Sequence, residues 1–297
     1  MATRGRLRSE FASRSDVTRP DFVVIGHVVR DLIPQGWRVG GTATFAAMQA
    51  QRLGLRAGLV TRIGTELAPE DTLPDITVAG RRSVTTTSFE NVYDGTKRRQ
   101  RVQVQAEPVE EEDIPAAWRE APIVLLGPVC GEVSAGLEGA FPRSLVGVAA
   151  QGWLREVDRE RRVRRRAWTG APFWRGCRVL FVSTEDLGRR RDQLERWSEE
   201  VPIVALTSAR RGVRVHTNAG WQTMKAFPAV EVDPTGAGDV FAAAFLVRYH
   251  ETEDTVDSAR FASAAAACSV EASGIERIAD REEIEARMAA HPEIVLA

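Results

Sequence analysis

Seven residues near the C-terminus, Asp233-Pro234-Thr235-Gly236-Ala237-Gly238-Asp239, place two carboxylates around two glycines just before Val240-Phe-Ala-Ala-Ala-Phe-Leu-Val247, a run rich in helix formers. A helix entered through glycine turns its first N–H groups outward, with the positive end of the macrodipole behind them, and so makes an anion site from backbone alone. The glycines permit the tight turn and the close approach of a ligand. Asp239, in the first turn, can face the same point and accept a proton there. Phosphoryl transfer needs both parts: donors for the charge that builds on the transferred group, and an acceptor for the proton of the attacking hydroxyl. A lone Asp beside glycine would more often be a helix cap. Seven residues in this order, between the strand-like Ala226 to Val232 and a helix, point to catalysis instead.

The elements that must carry this segment are legible in outline. Phe22-Val-Val-Ile-Gly26 reads as a buried strand ending in glycine, and similar apolar runs recur at Pro122 to Leu126, Leu145 to Ala149, Val179 to Val182 and Val201 to Leu206. Helix-like stretches lie between several of them, which predicts an α/β fold: a doubly wound, mostly parallel sheet flanked by helices, binding ligands at the carboxyl ends of its strands. Two segments, 32–39 and 84–105, break that rhythm. The alternation Arg101-Val-Gln-Val-Gln105 has the period of a half-exposed strand, and the two segments are expected to pair as a small sheet standing off the core, either a lid over the site or a surface hairpin without a role. The Arg- and Trp-rich stretch Gln151 to Trp174 interleaves Glu156, Asp158 and Glu160 with its arginines, so it reads as a solvated hairpin or loop.

At 297 residues with 43% hydrophobic content, the chain can bury one large core, expected to be a single kinase-sized domain over 21–297 behind a polar, mobile tail at 1–20. A net charge of −1 leaves no global field to draw it to nucleic acid or to an anionic membrane, and no apolar run is long enough for a membrane span. Cys130, Cys177 and Cys268 are too few and too dispersed for a disulfide framework or a four-cysteine zinc site. Reduced thiols and a cytoplasmic location are expected.

The heptapeptide and its Ala/Phe-rich helix resemble the C-terminal signature of the ribokinase-like (PfkB) carbohydrate kinases, and the resemblance extends along most of the chain from Asp21 onward. Gly40-Gly41-Thr-Ala-Thr-Phe45-Ala-Ala47 and Leu53 to Gly64 are similar to the family's N-terminal glycine-pair region, where a substrate hydroxyl approaches the backbone. The family implies Asp31 as a ligand of substrate hydroxyls, with Val29 standing where many sugar kinases have Asn. It implies a lid at Thr85 to Gln100, and adenine cupped by Ala259 to Val270 and the turn Glu271 to Ile275, hence Ser273 and Gly274. Its Asn-x-x-Glu element, which organises magnesium through water, is matched by Ser183-Thr-Glu-Asp186, placing Asp186 at the carboxylate position. Its Thr-x-Gly-x-x-Gly pattern on the nucleotide side is matched by Thr207-Ser-Ala209-Arg-Arg-Gly212, with Ala209 for the first glycine.

What the resemblance implies is an ATP- and Mg2+-dependent kinase. The γ-phosphate would be held by the N–H groups of Gly236 to Asp239, with Thr235 beside them, and the acceptor by Asp31, Gly40, Gly41, Phe45 and Asp233. The Gly26-His-x-x-x-Asp31 and Gly-Gly-x-x-x-Phe45 patterns are similar to those expected of inositol kinases, so a sugar or cyclic polyol is the expected acceptor. A nucleoside is the alternative, its base met by Phe45, Phe89 or Tyr93. A noncatalytic sugar-binding relative is the alternative of another class, and the lid strands could pair two subunits into a homodimer.

Overall fold

In the structure, a computed structural model, residues 18–94, 97–134, 136–170 and 176–296 are described; most of the expected tail and the end of the Arg/Trp-rich stretch lie outside them. The chain runs through β1 (Phe22–Ile25), β2 (Val29–Ile33), β3 (Gly36–Gly40), α1 (Thr42–Arg52), β4 (Ala57–Ile63), α2 (Pro69–Thr72), β5 (Thr77–Arg82), β6 (Ser88–Asp94), β7 (Lys97–Val104), β8 (Ile123–Leu126) and β9 (Leu145–Ala149). It continues with β10 (Arg155–Val157), β11 (Val163–Arg165), β12 (Cys177–Ser183), α3 (Thr184–Leu187), α4 (Arg191–Glu200), β13 (Ile203–Thr207), β14 (Val213–Thr217), β15 (Gly220–Met224), α5 (Ala237–Thr252), α6 (Thr255–Ser269) and α7 (Arg281–Ala290).

Nine strands form one sheet in the order β15-β14-β13-β12-β9-β8-β1-β4-β5, parallel except where β14 runs antiparallel to both its neighbours. All five apolar runs picked out in the sequence are strands of its parallel part. Runs such as Phe22–Ile25 and Ile123–Leu126 are wholly buried because both faces of the sheet are covered. On one face lie α1, α5, α6 and α7, whose Phe241, Phe245 and Phe261 pack with Val179, Phe181 and Ala205. On the other, Trp118, Trp153, Trp168 and Trp197 pack with Val124, Val146 and Val148. No helix among the described residues is long and apolar enough to cross a membrane.

A second sheet, β3-β2-β6-β7, stands off the first and contains the two segments that broke the α/β rhythm. One strand expectation is corrected. Ala226 to Val232 is extended coil, not a strand: the sheet already ends in the β14–β15 hairpin, and Pro228 has no N–H to join a ladder.

Order reversal in the main sheet falls between β1 and β8, which leave to opposite sides, and there the carboxyl ends open a crevice. The two strands end in glycines that touch. A Cβ on Gly26 would lie 2.3 Å from the Gly127 carbonyl oxygen, and one on Gly127 would lie 2.4 Å from Thr42 Cγ2. Helix α1 therefore starts directly over the crevice.

Candidate active site

A cavity of about 1240 Å³ follows the carboxyl ends of the strands. Asp31, Gly41, Phe45, Asp186, Thr207, Ala209, Gly212, Thr235, Gly236, Ala237, Gly238 and Asp239 all line it, so residues spread over most of the sequence converge on one volume. Gly40, Asp233, Ser273 and Gly274 do not reach its wall.

The α5 wall is built from backbone. Gly236 is the N-cap of α5 at φ 81°, and a Cβ there would fall 2.3 Å from the Phe45 ring, so neither the conformation nor the space admits a side chain. The Asp239 N–H bonds the Gly236 carbonyl at 3.0 Å and the Ala237 N–H lies 3.3 Å from the Pro234 carbonyl. The N–H groups of Gly236 and Gly238 have no backbone acceptor among the described residues. The expected ring of donors from Gly236 to Asp239 is thus corrected: it ends at Gly238, because the Asp239 N–H closes the first turn.

Withdrawal of the Asp239 carboxyl from bulk water pushes its pKa up to about 7, reinforced by the nearby charge of Asp186 and opposed by Thr42 and the Arg155 guanidinium. A carboxyl titrating there can take up and release protons near neutrality.

Asp233 is placed differently from the substrate contact expected of it. Its carboxylate accepts the Thr235 N–H at 2.9 Å and the Ser273 hydroxyl at 3.3 Å, bonds that hold it well ionised despite burial. Ser273 in turn accepts from Arg38 of β3. The reason Asp233 misses the cavity is this chain of bonds, which turns it toward the loop after α6, where it braces the anion-binding turn against the second sheet.

The opposite wall is built from side chains. Ser183 caps α3, accepting the Asp186 N–H at 3.0 Å and donating to Asp186 Oδ2 at 2.7 Å. Asp186, 8% exposed, receives Arg155 Nη2 at 3.0 Å and Nε at 3.2 Å on its other oxygen. Arg155 Nη1 lies 3.4 Å from Gln100 Oε1 of β7, and with its amide reversed Gln151 also accepts from the same guanidinium. Arg155 sits at the start of the β10–β11 hairpin, whose base is fixed by Trp153 stacked on Trp168, ring centroids 5.0 Å apart. Arg162 and Arg164 of this hairpin line the cavity too, each paired with Asp158.

Sequence reasoning missed Thr42, Gln100, Gln151 and Arg155. The signal for Arg155 was present as an arginine two residues after a tryptophan in an apolar context, but the charge alternation around it suggested only a solvated surface.

Val213, Phe227, Ala266, Ala267 and Val270 line the cavity as an apolar slot. Asp31, Gly41, Gln100 and Gln151 give a polar compartment under the second sheet, where a Cβ on Gly40 would meet Asp31 Oδ2 at 2.2 Å. Phe45 and Phe89 are both almost wholly buried, and the Phe45 ring covers Gly236.

Among the described residues no group of three acidic, histidine or cysteine side chains could hold a metal by itself. Asp186 retains lone pairs on both oxygens, which fits a hard cation held mainly by phosphate and water, with one carboxylate reaching it through water.

Comparison with known proteins agrees with this geometry. Residues 177–280 match the model of the pfkB family carbohydrate kinases. The chain is 28% identical to a cytidine kinase of Thermococcus kodakarensis over 77% of this chain and 88% of that protein. It is 29% identical to an inositol 3-kinase of Oryza sativa subsp. japonica over 75% of this chain and 61% of that one. Among solved structures, a pyrophosphate-dependent kinase in the ribokinase family superposes with TM-score 0.76 at 23% identity, covering 89% of this chain and 99% of that one. A ribokinase of Arabidopsis thaliana complexed with ribose and ATP superposes with TM-score 0.69 at 18% identity, covering 91% and 99%. At these identities the superpositions establish the fold.

Proposed function

We propose, for a chain that belongs to the ribokinase-like pfkB carbohydrate kinases and is a phosphotransferase with an alcohol group as acceptor, that it moves the γ-phosphate of ATP to a hydroxyl of a sugar or cyclic polyol. The observation that carries this reading is the position of the α5 turn. The free N–H groups of Gly236 and Gly238 and the Asp239 carboxyl lie in the cavity that holds a polar compartment and an apolar slot.

ATP is favoured as donor because the slot between Val213, Phe227, Ala266, Ala267 and Val270 suits a flat apolar base. A short polyphosphate would leave it unused. The donor's phosphates then lie along Thr207 to Gly212 toward the α5 turn. Asp186 would be the residue that holds magnesium, which when bound would supply charge neutralisation on the donor phosphates. Asp239 accepts the proton of the acceptor hydroxyl as that oxygen attacks, and the Gly236 and Gly238 N–H groups and Arg155 favour the charge that spreads over the phosphoryl oxygens. The β3-β2-β6-β7 sheet acts as the lid that keeps water from competing as acceptor.

A polyol is favoured by the polar lining of the acceptor compartment, Asp31, Gln100, Gln151 and the Gly41 backbone, and by similarity to inositol 3-kinase. Similarity to cytidine kinase and the aromatic rings at Phe45 and Phe89 support a nucleoside as second reading. The protein works in the cytoplasm, and β3 is the outer edge of the second sheet at which a second subunit could pair into a homodimer, the β7 side being bridged by the β10–β11 hairpin at Arg101 and Val102.

The test is ADP release from Mg-ATP with myo-inositol, ribose, fructose, cytidine and adenosine offered singly. Turnover is expected with a polyol or sugar, and faster than with either nucleoside. Release with none of them would favour a noncatalytic relative, and turnover with pyrophosphate but not ATP would overturn the donor.

A further inference from the structure

Helix α1 also begins at the cavity, facing α5. Gly41 is its N-cap at φ 90°, and the N–H groups of Thr44 and Phe45 turn back to the Gly41 carbonyl. Thr42, the first helical residue, is 1% exposed and lines the cavity. Its Cγ2 methyl is pressed against Gly127, where no Cβ could fit, and a β-branched side chain held there has little rotational freedom.

Among the described residues, the buried Thr42 Oγ1 meets no hydrogen-bond partner of normal geometry. A buried hydroxyl without a partner is destabilising, so one retained in a site needs an explanation. The charged groups around Asp239 are Arg155 from β10 and Asp186 from α3; the hydroxyl that acts on it is Thr42, from α1.

We infer that Thr42 is a positioning residue for Asp239: its Oγ1–H donates to one oxygen of the ionised carboxylate, leaving the other oxygen aimed at the acceptor hydroxyl. The bond is made when the carboxylate forms, and α1, which carries Gly41 and Phe45, is thereby tied to α5 in the reacting state. Nothing in the Gly-Gly-x-x-x-Phe spacing assigns Thr42 a role. The inference rests on Asp239 being the proton acceptor only for its effect on turnover; the contact itself is independent of that reading.

The experiment is a carbon-13 NMR titration of the Asp239 carboxyl in the whole protein, assigned with Asp239→Asn, for wild type, Thr42→Val and Thr42→Ser. Thr42→Val keeps the shape and removes the hydroxyl; Thr42→Ser keeps the hydroxyl and removes the methyl. Expected is a pKa about one unit higher in the Val variant, since one unit is the weight of one such bond, and a wild-type value in the Ser variant. Should the Val variant not fold, Thr42→Ala takes its place against Ser. Identical titrations in all variants, or a Ser variant displaced as far as Val, would overturn the inference. In parallel, turnover of Mg-ATP with myo-inositol and with cytidine is expected to fall about tenfold to a hundredfold in kcat for Val, with KM for ATP within about threefold, and to recover in Ser. If Asp239→Asn kept its turnover while Val shifted the titration, the base assignment would fail and the Thr42 contact would stand.

Discussion

Across the cavity two walls face each other and are made of different material. On the α5 side, Gly236 and Gly238 offer backbone N–H groups fixed by the turn itself. On the other side, Arg155, Asp186, Ser183, Gln100 and Gln151 offer side chains brought together from three separate segments. The first wall depends on local geometry, so one methyl can ruin it. The second depends on long-range register, with each side chain held by its neighbours, as the Ser183 cap bonded to Asp186 illustrates.

The sharpest way to break that contrast is Gly236→Ala. A left-handed φ of 81° and a Cβ inside the Phe45 ring leave no room for relaxation, so strain of about 1–3 kcal/mol is joined by a displaced turn. Turnover is expected to fall about a thousandfold or more, read by ADP release at saturating ATP.

Arg155→Ala should act next most strongly. It leaves Asp186 without its cation in a poorly hydrated place, and a drop of about 3 kcal/mol in unfolding free energy by denaturant titration is expected. Turnover should fall about a hundredfold. Arg155→Lys should recover stability better than activity, since a point charge does not replace the fork.

How much of this could be read beforehand follows the same division. The five parallel strands and the Asp233–Asp239 turn were legible because each is a local pattern: an apolar run of strand length, or a glycine-lined junction. Arg155 was not, because its meaning lies in Trp153 docking on the far face of the sheet and swinging the hairpin over the cavity. Asp233 was legible as important yet misdirected, since only the fold brings Ser273 and Arg38 behind it. The coil at Ala226 to Val232 has the apolar content of a strand, and tertiary context denies it a neighbour.

A milder probe uses pH. With the Asp239 carboxyl at about 7, and the ionised form required, kcat/KM should fall about tenfold per pH unit below that point and level off above it. Arg155→Gln removes a cation that favours ionisation and should move this limb to higher pH. Asp186→Asn removes an anion that opposes it and should move the limb lower. Opposite movements from the two members of one ion pair would show that the side-chain wall acts on the base by charge.

The smallest effect is expected of Arg38→Ala, which cuts the bond from the second sheet to Ser273. Arg38 is exposed, so unfolding should change by less than about 1 kcal/mol, while KM for the acceptor rises about twofold to fivefold in steady-state kinetics.

In the proposed mechanism Asp239 takes the proton of the acceptor hydroxyl at the α5 turn. This role is tested most directly by Asp239→Asn, assayed for ADP release with the best acceptor of the screen and for ATP binding by calorimetry. Turnover is expected to fall about a hundredfold to ten-thousandfold, with ATP affinity within about threefold of wild type. Near-normal turnover in a folded, ATP-binding Asn variant would contradict it.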